Sequence, residues 1–292
     1  MIYHYFIQYN CIIGLIILHF LQKHIKILNM KDNEHIFYHH TYTLTPKKED
    51  FYGHIHNEYE LLFFYGGKAD FDIGGKSYHL RKNDLILVKP AIYHYLNILS
   101  DSTPYDRVVF NFRDDDIDER LRGTLTNLGI RYSINPESPI KYLIDALIKN
   151  ENILSKEEFE YNKESTINNI IACLNHLQMD NDYLVKDMED TFSLIVDYID
   201  NNPETSINSK VLKDMFYVSE SWISHAFKNR FGMSLMQYVN KKKILYAQQL
   251  IETGTSIKRA SEICEYKDYT TFYRQYKKYL GKEPMKDKGR LQ

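Results

Sequence analysis

The carboxyl-terminal third of the chain predicts short helices that are separately capped and joined by tight turns. Ser219 can cap a helix that ends at Gly232, and Asp268 can cap one that ends at Gly281. A shorter helix precedes each of them, and between the two pairs Ser234 opens a long connecting helix with capping-box spacing. The same order of short helix, turn and capped helix therefore occurs twice, which indicates two helix-turn-helix units rather than a generic helical bundle.

Charge separates this region from the rest of the chain. Residues 207–292 contain 17 basic and 8 acidic residues, a formal charge of +9, whereas the remaining residues carry −11. A basic region attached to an acidic body is typical of a domain that faces a polyanion. On charge alone, a basic surface that only faces solvent is an equal alternative.

Upstream of residue 115 the pattern changes from helices to short strands. Apolar or alternating stretches follow one another closely, and glycine pairs at 66–67 and 74–75 separate them as hairpin turns do. The predicted strands cover residues 59–65, 69–73, 77–80, 85–88 and 107–112. Many short strands at close spacing favour a small barrel or sandwich.

The stretch between these two regions is helical in pattern. Apolar side chains at helical spacing predict helices over residues 140–148 and about 156–177. The polar stretch 178–183 is typical of a linker, so we expect the last domain to begin soon after it.

The cysteines and the amino-terminal stretch bear on cellular location. The three cysteines, at Cys11, Cys173 and Cys264, are too far apart to form a disulfide framework or a metal motif, which fits a reducing cytoplasm. Residues 11–21 are apolar but shorter than the ~20 residues that span a bilayer, and they lack the basic stretch and cleavage site of a signal peptide. We expect residues 1–29 to be upstream translation that is not native to the protein, or a dispensable extension, without stable membrane association; a membrane anchor is the alternative.

Several residues of the carboxyl-terminal region stand at the positions of a known motif. They are Ser219-Glu-Ser-Trp-Ile-Ser-His-Ala-Phe-Lys228, Phe231-Gly232-Met-Ser234, Tyr266-Lys-Asp268, Thr271-Phe272, Arg274, Tyr276-Lys-Lys278 and Gly281-Lys-Glu-Pro284. Through them the stretch 187–286 resembles the DNA-binding domain of the AraC family of bacterial transcription activators. It departs from the family at Lys213, where alanine is usual, at His225, where arginine is common, and at Glu265, which replaces a glycine of the second turn.

The resemblance implies that the second helix of each unit enters the major groove, with the two helices about one turn (~34 Å) apart on one face of the duplex. Arg274 is then the candidate for a bidentate guanine contact, or alternatively a phosphate contact. Trp222 and Phe272 are expected to pack in the interior. The implied base contacts are Ser221, Ser224, His225, Tyr269, Thr270, Tyr273 and Arg274, and the implied phosphate contacts are Lys228, Lys241, Lys242, Lys277 and Lys278.

The strand-rich region resembles a cupin, as in the sensor half of the same family. The match rests on His54, His56, Glu60, Gly67, Asn83-Asp84, Pro90 and His94, with Ala91 where glycine is usual. In metal cupins the three histidines and the glutamate hold a divalent ion. Most such barrels in these regulators bind a small molecule without metal, so we predict no metal and no cofactor. The implied effector site, for a small molecule such as a sugar, consists of His54, His56, Glu60, Tyr78 and His94.

Together these patterns predict an α+β multidomain chain with an N-terminal cupin-like β-barrel, a helical linker and a C-terminal all-α domain that contains two helix-turn-helix units. The family's helices after the barrel usually pair two chains, so the helix at 156–177 is the expected dimer interface; packing on its own barrel is the alternative. The predicted domains are an extension at 1–34, a cupin-like sensor domain at 35–115, a helical dimerisation and linker region at 116–184 and an AraC-type DNA-binding domain at 185–288.

The predicted function is that of a cytoplasmic, sequence-specific transcription regulator under the control of a small-molecule effector, and not that of an enzyme. The expected partners are double-stranded DNA, the effector, a second copy of the chain and RNA polymerase. A metal-dependent cupin enzyme with a helical appendage is the main alternative, and it explains the histidines but neither the paired helices nor the basic region. A DNA-binding protein that is regulated by a partner protein is a third interpretation.

Overall fold

The computed structural model describes residues 36–47, 51, 53–177 and 191–288 of the chain. The predictions for the amino-terminal extension and for the linker at 178–183 lie outside these described residues. Within them, none of the helices is both long enough and apolar enough to span a membrane.

Two antiparallel sheets form the amino-terminal domain. Their strands are β1 (Phe37–Thr43), β2 (Tyr59–Gly66), β3 (Ala69–Ile73), β4 (Lys76–His79), β5 (Asp84–Val88), β6 (His94–Ile98), β7 (Tyr105–Phe112) and β8 (Arg131–Ser133). One sheet has the order β1-β7-β2-β5-β8 and the other β4-β3-β6, and the pairing of the described strands does not join them into one closed barrel. The five predicted strands are confirmed, with ends that agree to within two residues.

The sequence pattern missed three strands, β1, β6 and β8. Strand β8 is only three residues long and contains Arg131, a residue type that is seldom buried. Arg131 is nevertheless buried, because its guanidinium lies 2.7 Å from the carboxylate of Asp84 in the neighbouring strand β5. The sheet therefore extends to Ser133, beyond the predicted domain boundary at residue 115.

The five-stranded sheet is the middle layer of this domain, which explains why β2 is apolar along most of its length. Leu61 and Phe63 pack against helices on one face, whereas Leu62 and Phe64 pack against the three-stranded sheet on the other. The helices of this domain are α1 (Glu119–Leu125), which precedes β8, and α2 (Pro139–Asn150) and α3 (Lys156–Leu174), which follow it.

Helix α3, the predicted dimer interface, ends at Leu174 and packs on its own sheet. Ile167, Ile170 and Ile171 are fully buried in the core that includes the helix-facing side of β2. The apolar face of α3 is therefore used within the chain, as the alternative interpretation expected. Its outer face carries Tyr161, which is 72% exposed.

The carboxyl-terminal domain contains the predicted series of helices. Ser219 accepts a hydrogen bond from the backbone of Trp222, Ser234 forms a capping box with Gln237, and Asp268 accepts from the backbone of Thr271. These caps confirm the predicted helix starts. The helices are α4 (Thr191–Asn201), α5 (Ser209–Phe216), α6 (Glu220–Phe231), α7 (Leu235–Glu252), α8 (Ile257–Ile263) and α9 (Tyr269–Leu280).

Both helix-turn-helix turns use a left-handed residue that is not glycine. Tyr217 in the first turn has φ +55° and Glu265 in the second has φ +56°. A side chain in this conformation costs about 1–2 kcal/mol because its Cβ approaches the following carbonyl oxygen. The glutamate that replaces the family's glycine therefore leaves the two turns alike and adds strain to the second.

The two domains share a hydrophobic core. Ile55 and Tyr93 of the sensor domain belong to the same buried cluster as Phe231 and Tyr238 of the helical domain. The ring centroids of Tyr93 and Phe231 are 4.1 Å apart. The first helix-turn-helix unit is thus packed directly against the sensor domain.

Candidate effector site and nucleic-acid interface

Four residues of the predicted effector site converge where the sensor domain meets the helical domain. His54 and His56 precede β2, Glu60 lies in β2, and His94 begins β6. Their potential ligand atoms all lie within 4.8 Å of one another. Glu60 is central, because its Oε2 lies 3.6 Å from His54 Nε2 and 3.4 Å from the Nε2 atoms of both His56 and His94.

Backbone carbonyls orient two of the imidazole rings. His94 Nδ1 lies 2.9 Å from the carbonyl oxygen of Ile92, and His56 Nδ1 lies 3.1 Å from that of Glu58. Because a carbonyl oxygen only accepts hydrogen bonds, each Nδ1 carries the proton, and in the neutral ring each Nε2 directs a lone pair at Glu60. Asn111, opposite Glu60 in the register of β2 and β7, donates to Glu60 Oε2 at 3.1 Å.

The protonation of the cluster follows from its burial. Burial lowers the pKa of His94 to about 4 despite the attraction of Glu60, so this ring is neutral at pH 7. Burial also acts to lower the pKa of His56, but hydrogen bonding and charge attraction to Glu60 outweigh it and raise the pKa. Burial alone would raise the pKa of Glu60, yet charge attraction and hydrogen bonding from the protonated forms of the histidine rings hold it well below its usual range.

This arrangement fits a divalent first-row metal ion. Among the described residues no donor is hydrogen-bonded to His94 Nε2, although the atom is buried. A lone pair that faces an ionised carboxylate is unfavourable unless a cation lies between them. Three imidazoles and one carboxylate suit Mn, Fe, Ni or Zn, and bonds of ~2.0–2.1 Å to a tetrahedral ion would place the ligand atoms roughly 3.4 Å apart. The measured distances to Glu60 agree with that spacing.

Tyr78, the fifth predicted effector residue, lies elsewhere. It is 4% exposed and belongs to the core between the two sheets, opposite Phe71 on β3. Sequence analysis in turn missed Asn111, because its position beside Glu60 depends on the register between β2 and β7. Only the polar character of Asn111 within an apolar strand could have drawn attention to it.

The predicted base-contact residues lie mostly on exposed helix faces. In α6, Ser221, Ser224 and His225 are all exposed. In α9, Tyr269, Thr270 and Arg274 are exposed, whereas Tyr273 is half-buried and hydrogen-bonds Glu283 through its hydroxyl. Each second helix therefore offers a polar face to solvent.

The predicted phosphate contacts divide into two groups. Lys228, Lys277 and Lys278 are exposed, and Lys241 is half-buried. Lys242 is 3% exposed; its ammonium lies 2.9 Å from Asp200 and donates to the carbonyl of Ala91. The structure therefore does not support a phosphate contact by Lys242, and we leave this residue out of the proposed interface.

The two aromatic residues that were expected to be internal differ in burial. Phe272 is 0% exposed, which confirms the prediction for it. Trp222 is 37% exposed, so its prediction as a packing residue is wrong. On α6 the buried stripe consists of Ile223, Phe227 and Phe231, and Trp222 lies outside it.

Comparisons with known proteins agree with this two-part organisation. Residues 41–160 match the family of AraC-like ligand-binding domains, and residues 212–289 match a family of helix-turn-helix domains. Ninety residues are 29% identical to the transcriptional regulatory protein HptR of Staphylococcus aureus, covering 31% of this chain and 36% of HptR. Ninety-four residues are 24% identical to the uncharacterized HTH-type transcriptional regulator YijO of Escherichia coli, covering 32% of this chain and 33% of YijO.

The chain thus spans about a third of the length of the curated relatives it matches. Among solved structures, ToxT from Vibrio cholerae is 14% identical with a TM-score of 0.36, over 86% of this chain and 96% of ToxT.

Proposed function

We propose, since the chain belongs to the AraC family of transcription regulators, that it binds double-stranded DNA through α6 and α9 and regulates transcription from the bound site. The recognition helices would lie in successive major grooves on one face of the duplex. The observation that carries this proposal is the repeated geometry of the two units, whose second helices have matching caps and exposed polar faces.

The assignment of side chains to base contacts or to phosphate contacts follows from their chemistry. Ser221, Ser224 and His225 would contact base edges from α6, and Arg274 would do so from α9 by a bidentate contact with guanine. Tyr269, Thr270 and Tyr273 complete the proposed base contacts. Lys228, Lys241, Lys277 and Lys278 would bind phosphates, which gives salt-dependent affinity with little sequence information.

We further propose that a small effector controls this binding from the sensor domain, at the cluster of His54, His56, Glu60 and His94. The support is the convergence of these four side chains at the domain junction. A sugar as the effector and RNA polymerase as a partner rest on the family resemblance alone. We place the protein in the cytoplasm, where its DNA would be.

A second copy of the chain is a further proposed partner. The outer side of α3 and the turn before it expose two large apolar side chains, Tyr161 at 72% and Ile153 at 74%. These residues support a dimer surface on the face of α3 that is not used by its own sheet.

The cluster also suits a metal-dependent cupin enzyme, but that interpretation leaves the two exposed recognition faces without a role. The proposed function is tested by selecting sequences from a random duplex pool with the full chain and then measuring affinity against salt. A regulator should enrich a defined sequence and lose affinity linearly in log salt. A chain that binds no duplex at low salt would overturn the proposal, and turnover that depends on bound metal would favour the enzyme.

A further inference from the structure

Two short segments, extended around His54–His56 and around His94, carry the histidines of the cluster. The first segment is residues 53–58 and the second is residues 91–95. They are joined by main-chain hydrogen bonds, from His54 N to His94 O at 3.0 Å and from His94 N to His54 O at 3.1 Å. A third bond runs from Ala91 N to His56 O at 2.7 Å. Because of these bonds, a shift of one segment is transmitted to the other.

Along the first segment, side chains alternate between the cluster and the DNA-binding domain. His54 and His56 contribute to the cluster. Ile55, between them, is 5% exposed in the core around α6 and α7, and Asn57 donates to the carbonyl of Leu245 in α7 at 3.0 Å. Successive side chains of an extended chain point to opposite faces, so this segment contacts both the cluster and α7.

The side chains of the second segment are likewise shared between the cluster and the DNA-binding domain. His94 belongs to the cluster, whereas the hydroxyl of the adjacent Tyr93 donates to the carbonyl of Phe231, the last residue of α6, at 3.0 Å. Gly53 leaves room for this tyrosine, because a Cβ there would lie 1.7 Å from the Tyr93 hydroxyl oxygen. Ala91 stands at φ +61° and its carbonyl accepts from Lys242 of α7.

A charged chain adds a third connection at the far end of α7. Glu58, the last residue of the first segment, lies 3.0 Å from Arg113, and Arg113 lies 3.4 Å from Glu252 at the end of α7. The cluster residues are therefore three positions or fewer along the chain from each contact that the segments make with α6 and α7.

We propose that the effector is a divalent transition-metal ion held by His54, His56, Glu60 and His94, and that its binding tightens the packing of α6 and α7 against the two segments. This inference rests on the proposed function and names the ligand and the regulation of that same site. The packed arrangement already holds Glu60 at metal-site spacing from three imidazoles. The ion therefore binds this arrangement better than one in which the segments have moved, and only such a difference in affinity shifts a conformational equilibrium.

The test uses the full chain, stripped with a chelator and then titrated with Zn²⁺ alone. Bound metal is counted by mass spectrometry, and amide hydrogen exchange is followed in residues 227–252. The expected result is one Zn²⁺ per chain and exchange in α7 that slows about fivefold or more, since local opening sets the exchange rate.

Three variants make the test specific. His54→Ala removes a proposed ligand whose side chain is 45% exposed, and it should weaken Zn²⁺ binding at least about tenfold. His39→Ala, at an exposed histidine of β1, is the matched control and should change neither readout. Asn57→Ala should keep Zn²⁺ affinity within about threefold while part of the slowing of exchange in α7 is lost, because it removes one of the contacts between the sites and not a ligand.

The inference is overturned if wild type binds no stoichiometric Zn²⁺, if Zn²⁺ binds without a change in α7 exchange, or if Asn57→Ala shows the full slowing. Duplex binding is measured separately on the metal-free chain. If Zn²⁺ slows amide exchange in α7 but the chain binds no duplex, the proposed function is wrong and the coupling between the cluster and α7 still holds. Salt-dependent duplex binding with no response to Zn²⁺ would defeat the coupling and leave the function intact.

Discussion

The two helix-turn-helix units are built alike but are packed differently. Each has a capped second helix and a left-handed turn residue, Tyr217 in the first and Glu265 in the second. The core of the first unit includes Ile55 and Tyr93 of the sensor domain. The core of the second, around Phe272, contains only residues of the helical domain among its described members. Equivalent local sequence thus produces two units, and only the first has side chains of the sensor domain among the described members of its core.

The largest expected effects come from the cores of the two units. Phe227 and Phe272 are both 0% exposed, so Phe227→Ala and Phe272→Ala should each lower the free energy of unfolding by about 3–5 kcal/mol, measured in urea. Only Phe227→Ala should also speed hydrogen exchange in residues 53–58, because its core is shared with the sensor domain. Equal effects of both variants on that segment would contradict the difference between the units.

Replacing Arg274 should show whether this residue of the second unit contacts a base or a phosphate. Arg274→Ala is expected to lower the discrimination between the selected sequence and random DNA by about 1–3 kcal/mol. Lys277→Ala, one turn further along α9, is the matched control. It should weaken binding to the selected sequence and to random DNA alike, and reduce the slope of log affinity against log salt by about 1. Equal losses of Arg274→Ala on selected and random duplexes would show that this arginine contacts phosphate.

The two strained turns offer a smaller, stabilising effect. Glycine accepts a positive φ without strain, so Tyr217→Gly should raise the free energy of unfolding by about 1 kcal/mol, because Tyr217 is 94% exposed and loses little contact. Glu265→Gly should raise the free energy of unfolding by a smaller amount, since it also removes the hydrogen bond between Glu265 and Ser206 and a carboxylate 3.8 Å from Lys243. Thermal and urea unfolding would measure both, and a loss of stability in Tyr217→Gly would contradict the strain argument.

The smallest expected effect concerns pH and the helix that joins the two units. Burial lowers the pKa of Lys241 to about 8, so its charge is present at pH 7 and mostly lost at pH 9. Its proposed phosphate contact should therefore weaken as pH rises through this range, reducing the salt slope by about 0.9. Lys241→Arg stays charged and should remove this pH dependence. The same dependence in both proteins would exclude Lys241 as its source.

Features set by a few neighbouring residues were predictable from the sequence. The helix starts at Ser219, Ser234 and Asp268 depend on a side chain and a backbone amide within three residues, and all three are found in the structure. Strands bounded by glycine pairs were predictable for the same reason. The histidines at 54, 56 and 94 were indicated by their resemblance to a cupin motif.

Features that depend on distant partners were not predictable. Lys242 stands among other lysines in a helix and has the pattern of a surface residue, yet it is buried because Asp200, 42 positions upstream, neutralises it. Trp222 was predicted to be internal because it lies at core spacing beside polar neighbours, but the stripe of α6 that faces the core is filled by other side chains. The shared core between the domains requires Tyr93 and Phe231 to meet across 138 positions, which no local pattern records.

The central claim, that both units bind one face of the same duplex, is tested most directly by changing the distance between their half-sites. The full chain would be titrated with its selected duplex and with the same duplex carrying five additional base pairs between the halves. Half a turn of DNA places the two grooves on opposite faces, so we expect affinity to fall to that of a single unit, a loss of at least about tenfold. Equal affinity for the two duplexes would contradict the account.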